Sequence, residues 1–386
     1  MKKACFIFCL TWIPLLIFGQ SDIRIMYGPY LQKVSENEAT IMWVTDKEAV
    51  SWVELAPDDG MHFYATERPQ YFQTNFGKKM IGKLHEIKLK NLQPNTNYRY
   101  RIYSKAVMEQ TPYYIQYGKV AASDVYRGQP FLFRTLDTKK TETTFTMVND
   151  IHADSALLVA LMQTQKIKNT DFVLFNGDML SDLRSEQQIF DGFMTSAVKL
   201  FAAEIPMFFA RGNHEARGPF STEFIRYFPT STGQPYYTFR QGPAFFIVLD
   251  AGEDKPDSDI EYLGLGAFDI YRQEQTEWLK KVLESDEFKQ APVKIVVMHV
   301  PPVGSSWYGL LQVKEQFLPL LNKAGIDLML SGHLHRHIYY PKGEEGCEFP
   351  VLINSNKHVV TGHVKGESIT LEVKDAAGKL VEEIVL

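Results

Sequence analysis

Five of the chain's ten histidines fall in a handful of short fragments of similar build. In each, an apolar run stops abruptly at Asp, Asn or His. The run 145–148 ends in Asn149-Asp150-Ile151-His152, and 172–175 ends in Asn176-Gly177-Asp178. The run 207–210 leads to Gly212-Asn213-His214-Glu215, 293–298 to His299-Val300-Pro301-Pro302, and 326–330 to Gly332-His333-Leu334-His335. In the last fragment a glycine just past a strand end lets the backbone turn sharply, so that both imidazoles can converge on one point. Taken singly, each fragment reads equally well as a polar turn. Five at equivalent positions point to one constellation of ligands. A set of Asp, Asn and His without cysteine suits borderline or harder ions such as Zn, Mn or Fe.

Elements must carry these fragments to a common place. From about 145 onward apolar strands alternate with helical stretches, expected at 156–168, 185–203, 273–283 and 313–321. This pattern predicts an α/β layered domain with its ligands beyond the C-terminal ends of the strands. Two further strands flank Gln241-Gly242-Pro243, and 368–373 and 380–385 read as a terminal hairpin. Before 137 the reading is all-β. Segments 39–45, 51–55 and 83–89 are strands, and 131–135 closes the unit. Leu92-Gln93-Pro94 followed by Tyr98 resembles the tyrosine corner of fibronectin-type sandwiches. The aromatic-rich stretch 105–129, with Tyr113, Tyr114, Tyr117 and Tyr126, reads as a self-packed surface loop or as a flap laid over the second domain. A polar run, 138–144, is expected to link the two domains, 21–137 and 145–386.

Hydrophobic content of 45% and charged content of 23% describe a globular protein. Net charge of −5 gives no pull toward nucleic acid, so an anionic ligand needs local positive charge such as metal ions. The basic Met1-Lys2-Lys3, the apolar stretch 4–18 and Gly19-Gln20-Ser21 read as a signal peptide over 1–20, which predicts export to periplasm or exterior. The apolar stretch is too short for a membrane span and Pro14 interrupts it. After cleavage only Cys347 remains, so no intrachain disulfide is expected. Oligomeric state has no signal in the sequence.

In its ordered motifs the second domain resembles the calcineurin-like metallophosphoesterase superfamily. The first, with Gly28-Pro29-Tyr30-Leu31-Gln32 and Trp43, is similar to the β-sandwich that precedes the catalytic domain of purple acid phosphatases. The resemblance implies a fibronectin III-like all-β sandwich followed by a four-layer α/β/β/α domain. It also implies two metal ions, one held by Asp150, His152, Asp178 and His335, the other by Asp178, Asn213, His299 and His333. Asp178 would bridge them and His214 would face a phosphorylated small-molecule substrate. The chain departs from purple acid phosphatases in having Ser181 three residues after the bridging aspartate, where those enzymes have an iron-ligating tyrosine. It also has His152, which they usually lack, so no purple colour is expected.

Two ions about 3.5–4 Å apart can clamp a phosphoryl group and share a hydroxide for in-line attack, with His214 protonating the departing alkoxide or stabilising the equatorial oxygens. Glu215 would orient His214 or else stand as a plain surface carboxylate. Arg217, Arg336 and His337 are weaker candidates for flanking the cleft, and Trp307 and Tyr308 for an aromatic wall beside the leaving group. Three readings follow: a phosphomonoesterase; a phosphodiesterase or nucleotide pyrophosphatase on the same site; and a non-catalytic adhesion or glycan-binding protein.

Overall fold

The computed structural model describes residues 22–124 and 127–386; the expected signal peptide and Tyr126 lie outside them. The first 115 or so of these residues form an all-β unit organised on one long strand, Glu38–Pro57. Its first half pairs with Ile25–Gln32 and Gly82–Lys90, its second with Gln70–Phe72 and Asn97–Gln110. Over 39–45, in its first half, the strand is buried on both faces, so the apolar/polar alternation expected of a half-exposed strand is absent there. Ile41 and Trp43 enter the sandwich core, while Met42 and Val44 join Tyr30 in a cluster shared with the helical layer of the second unit. Trp43 is fully buried and its indole N–H donates to Ser104 Oγ at 2.8 Å, satisfying the one polar atom it takes inside. The Tyr98 hydroxyl accepts from the Gln93 N–H at 2.9 Å, the bond that the Leu-x-Pro…Tyr pattern predicts.

The stretch 105–129 is corrected by the structure. Strand Asn97–Gln110 runs on through it and turns back as Ile115–Ala122, a solvent-facing hairpin and not a loop. Both its faces are largely exposed, so no period of two marks it in the sequence. None of its residues lines the cleft described below.

The second unit has two six-stranded sheets packed face to face. In one, Glu142–Val148, Phe172–Asn176 and Met207–Ala210 lie parallel, and His358–Lys365 pairs antiparallel to the first of them, leading to the terminal hairpin. In the other, Ala244–Leu249, Val293–Met298, Leu328–Ser331 and Val351–Ile353 run parallel between two antiparallel edges. Strand Glu142–Val148 begins inside the stretch expected to be a linker. Phe145, Phe172, Phe246, Leu330 and Val360 fill the space between the sheets. Helix Ser155–Gln163 and the helical turns of 186–202 cover one outer face; Phe268–Glu284, Tyr308–Gln316 and Leu318–Ala324 cover the other. The helix expected at 313–321 is two helices, because Pro319 in the first turn of the second cannot donate an intrahelical hydrogen bond. Layered in this way, the parallel strands of both sheets deliver their C-terminal ends to one rim.

The two units are joined by buried polar contacts as well as apolar ones. The Tyr100 hydroxyl donates to the Ala203 carbonyl at 2.6 Å, the Tyr30 hydroxyl to that of Tyr227 at 3.0 Å, and Tyr27 stacks on Phe190.

Candidate metal centre

Along that rim the backbone itself is unusual. Asp150, His152, Asp178, His333 and His335 all have positive φ, between 49° and 71°. Each costs of the order of 1 kcal/mol or more in a non-glycine residue, and such outliers gather where the surroundings over-determine them. Close approach of the loops supplies that constraint. A Cβ on Gly212 would lie 2.1 Å from Asp178 Oδ1, one on Gly177 2.5 Å from the His299 ring, and one on Gly332 2.8 Å from Asp150 Oδ2. Only glycine permits the loops to pack so tightly. Cross-loop hydrogen bonds hold them: Asp150 N–H to Gly177 O, His152 N–H to Asp178 O, and Gly332 N–H to His299 O, each at 2.9 Å.

Within this frame the side chains converge. His335 Nε2 lies 3.1 Å from Asp150 Oδ1 and 3.2 Å from His152 Nε2. His299 Nε2 lies 3.0 Å from Asp178 Oδ2 and 3.8 Å from Asp150 Oδ1. The ligand atoms of Asp150, His152 and His335 all lie within 4.8 Å of one another, as do those of Asp178, His299 and His333. A third such group joins His214 to His152 and Asp178. Asn213 is buried beside them with neither amide atom hydrogen-bonded. All seven residues expected as metal ligands are thus brought to one place.

His333 Nε2 and both Asn213 amide atoms are buried without a hydrogen-bond partner, while Asp150 Oδ1 and His299 Nε2 have only the close ion-pair contacts above and no well-aligned hydrogen bond. An orphaned buried polar group costs about 1–3 kcal/mol, more when charged, so a cluster of them facing one another calls for a cation. The nitrogen and carboxylate donor set fits a metal pair of the kind expected. The electrostatics agree. Burial opposes charge on His299, but Asp178, Asp150 and the Asn176 carbonyl outweigh it and push its pKa up to about 10. Burial likewise opposes the Asp178 carboxylate, yet His299 and His214 hold it well below the usual range. Burial and His299 push His333 down to about 4.

Tautomers follow from the partners. His299 Nδ1 donates to the Asn176 carbonyl at 2.6 Å, which turns Nε2 toward the carboxylates. His214 Nδ1 donates to the Ser181 carbonyl at 2.7 Å, leaving Nε2 on the cleft side, 3.8 Å from Asp178 Oδ2.

Glu215 is neither a surface carboxylate nor the residue that orients His214. Fully buried, it accepts from the N–H groups of Asp178 (2.9 Å), Gly212 (3.0 Å) and Leu180 (3.0 Å), stitching the Asp178 loop to the Gly212 loop. Burial and the nearby Asp178 push its pKa up to about 7. Asn149 and Asn354, also unforeseen, pair across the two sheets at 2.7 Å, and Asn149 Nδ2 donates to Asp150 Oδ2. The motif position of Asn149 was visible; its partner, 205 residues away in a strand end with no histidine, carried no signal.

A cleft of about 440 Å³ opens over the cluster, lined by Asp178, Asn213, His214, His333 and His335 and walled by Trp307 and Arg336 among others. The Trp307 ring stands edge-on to His333 with centroids 5.2 Å apart. Tyr308 is not in the wall; it opens a helix and its hydroxyl donates to Asp269. Arg217 borders the cleft, but its guanidinium is committed to Glu253 at 2.7 Å and Asp254 at 3.1 Å. His337 turns away to Glu382 at 2.6 Å, and Asp250 is structural, receiving Arg211 and the Tyr271 hydroxyl. Arg336 is exposed and has no ion-pair partner among the described residues.

Known proteins bear on this geometry. A family model described as Calcineurin-like phosphoesterase matches residues 143–337, and one described as Purple acid Phosphatase, N-terminal domain, matches 29–135. Purple acid phosphatase 21 of Arabidopsis thaliana is 26% identical over 270 residues, taking in 66% of this chain and 53% of that protein. The serine/threonine-protein phosphatase CPPED1 of Rattus norvegicus is 27% identical over 147 residues, 36% of this chain and 45% of that one. This chain spans about half the length of these curated relatives. Among solved structures, a purple acid phosphatase from yellow lupin (Lupinus luteus) seeds superposes with a TM-score of 0.66 at 15% identity, covering 92% of this chain and 73% of that one. This last likeness is one of fold.

Proposed function

Since this chain belongs to the calcineurin-like phosphoesterase family, we propose that it is a phosphoric ester hydrolase acting on phosphomonoesters at a two-metal site beneath the cleft. The observation that carries this reading is the convergence of Asp150, Asn213, His299 and His333 around the Asp178 carboxylate, with the Asn213 amide and His333 Nε2 left unpartnered. Asp150, His152, Asp178 and His335 would hold one ion; Asp178, Asn213, His299 and His333 would hold the other. When bound, such a pair supplies Lewis acidity to phosphoryl oxygens and a water whose pKa is lowered toward about 7.

The chain's own residues do the rest. Asp150 and Asp178 contribute only two formal negative charges, so the loaded site keeps net positive charge for a phosphate dianion. His214, its Nδ1–H fixed on the Ser181 carbonyl, presents Nε2 to the cleft, where the protonated ring can deliver a proton to the leaving oxygen. Glu215 holds the Asp178 and Gly212 loops in register, and Trp307 walls the cleft beside His333. Arg336, a cleft-lining cation without an acidic partner among the described residues, meets substrate. With Ser181 where a tyrosine ligand would stand, the loaded protein is colourless. The basic, then apolar leader 1–20 supports an exported enzyme, whose second domain opens with the strand starting at Glu142.

The test is hydrolysis of p-nitrophenyl phosphate against bis-p-nitrophenyl phosphate by manganese-loaded protein, with Asp178→Asn as control. A preference for the monoester, abolished in Asp178→Asn, supports the reading. A preference for the diester replaces it with a phosphodiesterase.

A further inference from the structure

Beside the catalytic cleft lies a second and larger cavity, of about 970 Å³. One wall is the segment just after His214, the other the loop and helix start 261–274. The two cavities share Arg217, and the same two stretches of chain border both. Residues 213–217 pass from the cleft into the first wall, and the loop that gives the cleft Asp254 and Lys255 continues into the second as Glu261 and Tyr262. Arg217 stands at the boundary between the two, its guanidinium held by Glu253 and Asp254 and reaching Glu261 of the far wall at 3.7 Å, so the boundary carries paired charges and no free one.

The lining is predominantly apolar, with Phe224, Ile225, Phe268 and Ile270 among it. At the mouth, Leu263 and Leu265 are 82% and 86% exposed, and Ile270 is 59% exposed. Large aliphatic side chains held in water around a concavity mark a binding surface. A cavity of this size, apolar with a few polar groups, matches the usual character of a small-molecule site. Direction decides what enters it. The carbonyl of His214, the proposed proton donor to the leaving group, accepts from the N–H of the shared residue Arg217 at 3.2 Å, so the donor stands at the end of the cleft that adjoins the cavity.

We infer that this cavity receives the apolar leaving group of the substrate, which makes the preferred substrates phosphomonoesters of long-chain alkyl or bulky aryl alcohols. The inference rests on the phosphomonoesterase reading. Each methylene buried from water is worth up to about a fourfold gain in kcat/KM.

The experiment is a series of alkyl phosphates from ethyl to decyl, kept below micelle formation, assayed with manganese-loaded wild type, Leu265→Glu and Ile270→Glu. Both positions are exposed enough to accept glutamate without disturbing the fold. The expected result is kcat/KM rising at least tenfold along the series, a rise flattened in both variants while the ethyl phosphate value stays unchanged. A flat series in the wild type, or a slope that survives both variants, overturns the inference. Calorimetric binding of decylphosphonate against ethylphosphonate decides it without turnover. A tenfold preference for decyl, lost in Leu265→Glu, supports the cavity; equal binding refutes it. Absence of hydrolysis across the whole series would count against the phosphomonoesterase reading, with the phosphonate ratio still reporting on the cavity.

Discussion

Two buried histidines in this molecule live in opposite surroundings. His85, in the all-β unit, lies beside Thr45 Oγ1 at 2.9 Å and against the Trp43 ring, and burial alone pushes its pKa down to about 3. His299, at the strand ends of the second unit, is just as buried, yet Asp178 and Asp150 overcome that burial and push it up to about 10. The first is a core residue whose polar edge found a neutral partner. The second sits between two carboxylates, 3.0 Å from Asp178 and 3.8 Å from Asp150, beside atoms of Asn213 and His333 that have no partner. Burial of a histidine therefore says little by itself; what the neighbours leave unanswered identifies the site.

Substitutions can break or sharpen this contrast. The largest effect belongs to Asp178→Asn, which removes the charge common to both ligand groups; bound metal and hydrolysis should both be lost, as elemental analysis and a p-nitrophenyl phosphate assay would report. His214→Ala should lower kcat about 10²- to 10⁴-fold while metal content stays unchanged. Loss of metal in that variant would move His214 into the ligand set, as its proximity to His152 and Asp178 allows. Glu215→Gln leaves the loops imperfectly tied, and an apparent metal affinity about 10- to 100-fold weaker is expected in chelator titration. On the other side of the comparison, the unfolded chain binds a proton on His85 below its ordinary pKa of 6.5, whereas the folded chain does so only near 3. Stability attributable to His85 is thus complete above pH 6.5 and declines as pH falls, by about 2 kcal/mol between pH 7 and 5. Urea midpoints of wild type and His85→Gln at the two pH values should show that slope and its disappearance.

Much of this arrangement was legible in the sequence because both strand ends and ligands are local signals. Apolar runs cut off by Asp, Asn or His located the rim, and the alternation of strands and helices gave the layers. What escaped was non-local or unperiodic. Glu215 stood next to a ligand but its role lies in the amide groups of Asp178, Leu180 and Gly212, which no side-chain motif records. The outer part of the hairpin, 107–122, faces solvent on both sides and carries no alternation. Strand His358–Lys365, central to its sheet, is interrupted in sequence by Thr361, Gly362 and His363. Arg217 showed its charge but not the Glu253 and Asp254 that claim it.

The central claim is that the strand-end cluster is a metal site, and locating metal in it is the most direct test. Crystals of manganese-loaded protein, with anomalous scattering measured at the manganese edge, would show where the ions sit. The account predicts two peaks about 3.5–4 Å apart, flanking Asp178, one on the Asp150 and His335 side and one on the His299 and His333 side. Manganese bound elsewhere, or a cluster holding no ion at full metal saturation, would contradict it.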